Sequence, residues 1–205
     1  MTDPIRKRGR PRVLDRDIGL DIAARLFWER GYEGTSTADL TKAMGINPPT
    51  LYSMFGSKEE LYRQALDFSI ARENSRRLAI LQSNLPVYQA LGRYLYDIAD
   101  GDTQPDKPRG CMVSTAVLQY AEENASVAKM TAALRETSIQ TLKARFDRAV
   151  DEGELPSQTD TDTLARFYGA VIQGMSAQAC DGACNARLKR LIDLALTAWP
   201  GKRGT

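Results

Sequence analysis

TSTADLTKAMGINPPTLYSMFGSKEEL, residues 35–61, contains three helix starts and two stops in under thirty residues. Ser36 is a good N-cap for a short helix carrying Ala38, Leu40, Ala43 and Met44, and Gly45 is free to take the left-handed cap that ends it. Asn47 caps a second helix that opens on Pro48 and Pro49, where a missing N–H costs nothing and φ is already helical; Gly56 closes it. Ser57 and Glu60 form a capping box for a third helix with Lys58 in its first turn. Two short helices joined by a glycine-containing turn describe either a generic helical hairpin or a helix-turn-helix, whose second helix enters the DNA major groove. The side chains favour the second. Leu51 and Phe55 are four apart and can face inward, whereas Thr50, Tyr52 and Ser53 are polar groups that packing does not require.

The longer stretch from Ala24 to Leu66 resembles the DNA-binding domain of the TetR/AcrR family of bacterial transcriptional repressors. An apolar first helix leads into Gly31-Tyr32, then Gly34-Thr35-Ser36, then Gly45-Ile46; Thr50-Leu51-Tyr52 and Phe55 follow, and Ser57-Lys58-Glu59-Glu60-Leu61 closes the pattern. Pro48, Pro49 and Met54 depart from the family's usual residues. The resemblance implies an all-α protein: a three-helix, helix-turn-helix N-terminal domain, and a helical C-terminal domain for ligand binding and dimerisation. It implies a homodimer on a double-stranded DNA operator, released by a small-molecule inducer. It also implies that the third helix is a lever between the two domains.

Composition agrees. In 205 residues, 42% are hydrophobic and 26% charged, the profile of an ordinary globular chain. No apolar run approaches a membrane span and no secretory signal is present, so a cytoplasmic protein without membrane partners is expected. Three cysteines give no disulfide framework. Histidine is absent, which removes the commonest general base and metal ligand; no cofactor, no metal and no enzymatic activity are expected.

The net charge of +2 hides an asymmetry. Residues 1–12 hold Arg6, Lys7, Arg8, Arg10 and Arg12 against Asp3, a local charge of +4, while residues 13–62 come to −3. Arg8-Gly9-Arg10-Pro11 resembles an A·T hook, which lays Arg side chains into a narrow minor groove. The expected organisation is a basic arm at 1–12, a DNA-binding domain at 13–66 whose last helix continues as a linker to about 75, and a regulatory and dimerisation domain at 67–205.

The first helix starts at Asp15, with Ile18, Ile22, Leu26, Ala23 and Phe27 as its inward stripe. Beyond Pro86, helices are expected over about 87–99, 111–118, 125–152, 163–180 and 185–199, with a proline-containing loop at 101–108. Thr137, Ser138 and Thr141 interrupt an apolar stripe, so they either line a cavity or bond the preceding turn. Cys111, expected at a helix N-terminus beside Arg109, is either a sensing thiol or a small buried apolar group.

The candidate DNA contacts are Arg8 and Arg10 in the minor groove, Pro48, Thr50 and Ser53 near base edges, and Thr37, Lys42, Tyr52 and Lys58 on phosphates. Candidate ligand walls are Tyr88, Tyr94, Cys111, Thr115, Thr141, Phe146, Phe167 and Tyr168. The dimer face is assigned to Gly169, Ala170, Gly174, Met175, Leu188, Leu191, Ile192 and Ala195, small and apolar residues on the last two helices. Two other classes remain: a sequence-tolerant architectural protein for A·T-rich DNA using the arm, and a thiol-dependent helical enzyme built around Cys111.

Overall fold

The computed structural model describes residues 14–201, the side chain of Asn74 excepted; Arg8 and Arg10 lie outside the described residues. Among the described residues eight α-helices follow one another: α1 (Arg16–Arg30), α2 (Thr37–Met44), α3 (Pro48–Phe55), α4 (Lys58–Gln82), α5 (Val87–Asp102), α6 (Ala125–Asp151), α7 (Thr161–Cys180) and α8 (Asn185–Leu196). A single 3-10 turn, Glu122–Asn124, precedes α6, and no strand occurs among the described residues.

Local chemistry sets the early boundaries. Asp15 accepts the Asp17 and Ile18 backbone N–H groups at 2.9 and 3.2 Å and starts α1. Ser36 with Asp39, and Ser57 with Glu60, form complete capping boxes for α2 and α4. Gly45 ends α2 at φ 66° and ψ 30°, the left-handed region where a side chain would be strained.

The buried face of α1 is rotated from the expected stripe. Leu20, Ala23, Ala24 and Phe27 face inward, while Ile18 is 57% exposed. The cause is a close approach at Gly19, where an added Cβ would stand 2.7 Å from the Phe55 ring. Gly19 of α1 is thus brought against Phe55 of α3, Ile18 turns outward, and Ile22 and Leu26 are half-buried at the edge of the core.

Two hydrophobic cores result. One joins α1–α4 through Phe27, Leu40, Leu51, Phe55, Leu61 and Tyr62; the other joins α5–α8 through Leu91, Leu95, Phe146, Tyr168, Met175 and Ile192. Helix α4 enters both, with Ala65 and Leu66 in the first and Leu81 in the second. The first core also takes in Met112 and Val127 from further along the chain. Polar bonds add to this seam: the Trp28 indole N–H donates to the Arg109 carbonyl at 3.2 Å, and Glu33 accepts the Ala121 backbone N–H at 2.8 Å.

Residues 111–118 do not form the expected helix. They form consecutive turns, and Val117 has φ 42°. The Ala116 carbonyl accepts from the Arg135 guanidinium at 2.8 Å, and the Val113 carbonyl accepts both the Ala116 backbone N–H at 3.4 Å, a three-residue turn bond, and the same guanidinium at 3.3 Å. Three β-branched residues, Val113, Thr115 and Val117, also disfavour a helix there. Without that helix, Cys111 has no N-terminal dipole beside it. Helix α5 runs to Asp102, so the proline-containing loop starts two residues later than expected. Helix α8 stops at Leu196, and Trp199 turns back into the core.

Asp102 is buried between α5 and α7, accepting from the Ser176 hydroxyl at 2.6 Å, with Arg77 and Glu73 nearby. Burial pushes its carboxyl from 3.8 up to about 6, against the opposing effects of Ser176 and Arg77. The native carboxyl therefore keeps its proton where the unfolded chain has released it. Its contribution to stability is complete below 3.8 and is lost as pH rises through about 6. At about 1.4 kcal/mol per pH unit the loss comes to about 3 kcal/mol. Asp102→Asn is expected to remove this slope, so that the variant gains on the wild type between pH 4 and 6.5 in urea unfolding; parallel pH profiles would refute the assignment.

Candidate nucleic-acid interface

Helices α2 and α3 each turn one side to solvent. Lys42, Pro48, Pro49 and Ser53 are exposed, Tyr52 is 50% exposed, and Leu51 and Phe55 anchor the opposite side of α3 in the core at 0% and 2%. Thr37, in the first turn of α2, is half-buried. The Asn47 carboxamide oxygen accepts both the Thr50 backbone N–H at 2.9 Å and the Thr50 hydroxyl at 2.7 Å. Thr50 thus spends its proton inside the helix cap and faces outward as an acceptor. Ala38 and Ala43 face solvent, and Thr41 takes the buried place on α2. The Lys58 ammonium lies over the Tyr32 ring at 4.3 Å, and desolvation lowers its pKa against the pull of Glu33.

The far end of α3 is held by residues that the motif did not single out. Arg16 donates to the Met54 carbonyl and, at 2.5 Å, to the Gln64 side-chain oxygen, and its guanidinium lies 5.1 Å from the Phe55 ring centre. Gln64 in turn donates to the Phe55 carbonyl at 3.1 Å. These are the last carbonyls of α3, which have no partner within the helix. No periodicity marks Arg16 or Gln64; the only sequence sign is a polar residue on each neighbouring helix.

Helix α4 continues from this brace into a cavity of about 250 Å³ between α1, α4, α5, α6, α7 and the 111–118 turns. Of the expected walls, Tyr94, Cys111 and Thr141 line it. The others are corrected by packing. Phe146 and Tyr168 are fully buried in an aromatic cluster with Trp199, at ring distances of 5.6 and 6.3 Å from it, and Tyr88 packs on the same tryptophan. Phe167 is 40% exposed beside Tyr168, and the Thr115 hydroxyl bonds back to the Cys111 carbonyl. Walls that the sequence did not reveal are Glu73, Arg77 and Arg135, three charged residues on helices expected to be amphipathic in the ordinary way. Thr137, Ser138 and Thr141 line the cavity and also bond the carbonyls four residues back, so both readings of them hold. Burial pushes the Tyr94 hydroxyl up to about 12, leaving it a neutral donor.

The last two helices also need correction. Met175, Leu188 and Ile192 are fully buried within the protomer, Ala195 is nearly so, and Gly169 packs against Ile139. The residues that remain outside are Ala170 and Gly174, with Leu191 half-buried, Phe167 exposed and Leu194 71% exposed. Neighbouring helices α5 and α6 use more of α7 and α8 than the apolar pattern suggested. All three cysteines are free, Cys111 half-buried and Cys180 and Cys184 exposed. Burial raises the Cys180 thiol, and the Arg187 backbone N–H lowers that of Cys184. No metal-holding cluster exists among the described residues, and no described helix is long and apolar enough to cross a membrane.

Residues 20–65 match the model of bacterial regulatory proteins of the tetR family, and residues 89–193 match the tetracyclin repressor-like C-terminal domain. This chain belongs to the TetR family. It is 36% identical to the HTH-type transcriptional repressor ComR of Escherichia coli strain K12, over 95% of this chain and 93% of that protein. It is 30% identical to the repressor BdcR of the same strain, over 85% and 83%. A cysteine mutant of the TetR family regulator CifR, solved with double-stranded operator DNA, superposes with a TM-score of 0.90. The two sequences are 39% identical, with 94% of this chain and 100% of that one covered. This TetR-family protein is a DNA-binding transcriptional regulator.

Proposed function

We propose that the protein is a cytoplasmic homodimeric repressor without enzymatic activity, bound to a palindromic operator and released when a small molecule enters the cavity. The observation that carries this reading is the span of α4: Gln64, near its start, holds the last carbonyl of α3, while Glu73, Arg77 and Leu78 further along face the cavity. A ligand that shifts the middle of α4 shifts the support of α3. The working division is an arm at 1–12, a DNA-binding domain at 13–66 and a regulatory domain at 67–205. Phe167, Ala170, Gly174, Leu191 and Leu194 offer the outward apolar face for a second copy, and two-fold symmetry would place two reading helices about 34 to 36 Å apart. Arg8 and Arg10 are proposed to add minor-groove contacts, and Thr37 and Lys58 phosphate contacts.

Selection of bound duplexes from a random pool tests this directly. An enriched palindrome with half-sites one turn apart is expected. A·T-rich DNA without symmetry would instead favour the architectural reading, for which the exposed Pro48 and Pro49, which have no N–H to offer, are the supporting observation. On the selected operator, Lys42→Ala is expected to weaken binding to all sequences about equally and to reduce the salt slope by about one. Tyr52→Ala is expected to cost roughly tenfold in affinity with little effect on the melting temperature. An unchanged Kd for both variants would remove this face from the interface.

A further inference from the structure

Among the described residues, the cavity has one wall cation with no carboxylate partner, Arg135. Of its charged walls, Glu73 is paired with Arg77 at 3.0 Å and Lys107 at 2.9 Å, and Arg77 also meets Asp97 at 3.3 Å. Arg135 has no carboxylate within ion-pairing distance among the described residues. One of its terminal nitrogens donates to the carbonyls of Val113 and Ala116, and its other donors have no protein partner among the described residues. Around it the wall is largely aliphatic, with Leu66, Ile70, Leu134, Leu142 and Ile172. A lone guanidinium in such a setting selects an oxyanion attached to an apolar body, because the charge-assisted bond strengthens as water is excluded. A volume of about 250 Å³, roughly that of eight water molecules at about 30 Å³ each, limits the guest to a small molecule.

The bonds that an anion would contest are the ones that shape the 111–118 turns. Ala116, whose carbonyl Arg135 holds, directly precedes Val117, a β-branched residue at φ 42° in a region such residues rarely occupy. Met112, Val113 and Val117 from these turns pack into the core of α1–α4. We propose that the cavity takes an amphipathic organic anion, a single carboxylate on a short apolar body, which engages Arg135, frees the Val113 and Ala116 carbonyls and loosens the turns beneath the DNA-binding domain. This rests on the ligand-responsive reading above and names the chemical class of its ligand.

The test uses the full chain with octanoate, octanol and octylamine as probes, followed by calorimetry and by hydrogen exchange over residues 111–118. Octanoate is expected to bind the wild type at least about tenfold more tightly than octanol or octylamine and to speed exchange in the turns. Arg135→Gln is expected to abolish that preference, and Arg135→Lys, which keeps the charge, to retain it. If the Gln variant fails to fold, the Lys variant and the wild-type series still decide. Equal binding of acid and alcohol, no binding of octanoate, loss of the preference in the Lys variant, a preference surviving in Arg135→Gln, or unchanged exchange in the turns would each overturn the proposal. Duplex selection without ligand separates the two failures. An enriched palindrome with no octanoate effect rejects only the anion, whereas octanoate binding at Arg135 without any enriched palindrome rejects the repressor reading.

Discussion

Glu154→Ala is expected to destabilise the protein by about 3 kcal/mol. Arg145 is 5% exposed, and its guanidinium donates to the Leu85 carbonyl at 3.0 Å and to Glu154 at 3.3 Å, while its other two nitrogens lack partners. Glu154 is the only carboxylate paired with it among the described residues. The other oxygen of Glu154 accepts the Val87 backbone N–H at 2.6 Å, the first N–H of a helix that Pro86 cannot cap with a side chain. Truncation would leave a buried cation unpaired and the backbone N–H of buried Val87 unsatisfied at the same time. Urea unfolding of the variant should show a lower midpoint at an unchanged slope, and Arg145→Met in the same chain should recover part of the loss, since the buried charge is then gone. A midpoint unchanged by Glu154→Ala would show that solvent screens the pair.

The Arg16→Ala, Gln64→Ala double variant is expected to lose about two orders of magnitude in operator affinity, with a much smaller loss of global stability. The two side chains satisfy the Met54 and Phe55 carbonyls and hold each other, so their removal lets the end of α3 move relative to α1 and α4. Each lost bond to a charged or carbonyl group costs about 1.5 kcal/mol, and the pair is coupled rather than additive. Fluorescence anisotropy on the selected operator, alongside thermal melts, separates the effects. Full affinity in the double variant would mean that Leu51 and Phe55 alone fix α3.

The helix-turn-helix was legible because its determinants are local. Ser36, Gly45, Asn47 and Ser57 act within four residues of themselves, and each boundary they imply agrees with the structure to within a residue. Inward and outward residues of α3 were also legible, since a short helix has one partner face and Leu51 and Phe55 mark it. Farther along, pattern alone misplaced residues wherever several helices share one. Phe146, Tyr168, Met175 and Ile192 had the composition of a ligand wall or dimer face and are core, because α5–α8 surround one another and use more faces than an amphipathic pattern encodes.

The sequence by itself determined the helical class and the starts of α1–α4, because capping, glycine conformations and side-chain identity need no distant partner. Only the tertiary structure decided that 111–118 is a run of turns, that Arg135 lines a cavity with no carboxylate paired to it among the described residues, and that Arg16 and Gln64 end α3. Those features are hydrogen bonds between groups 9 to 48 residues apart on different elements, and such pairing of polar groups leaves no period in a sequence.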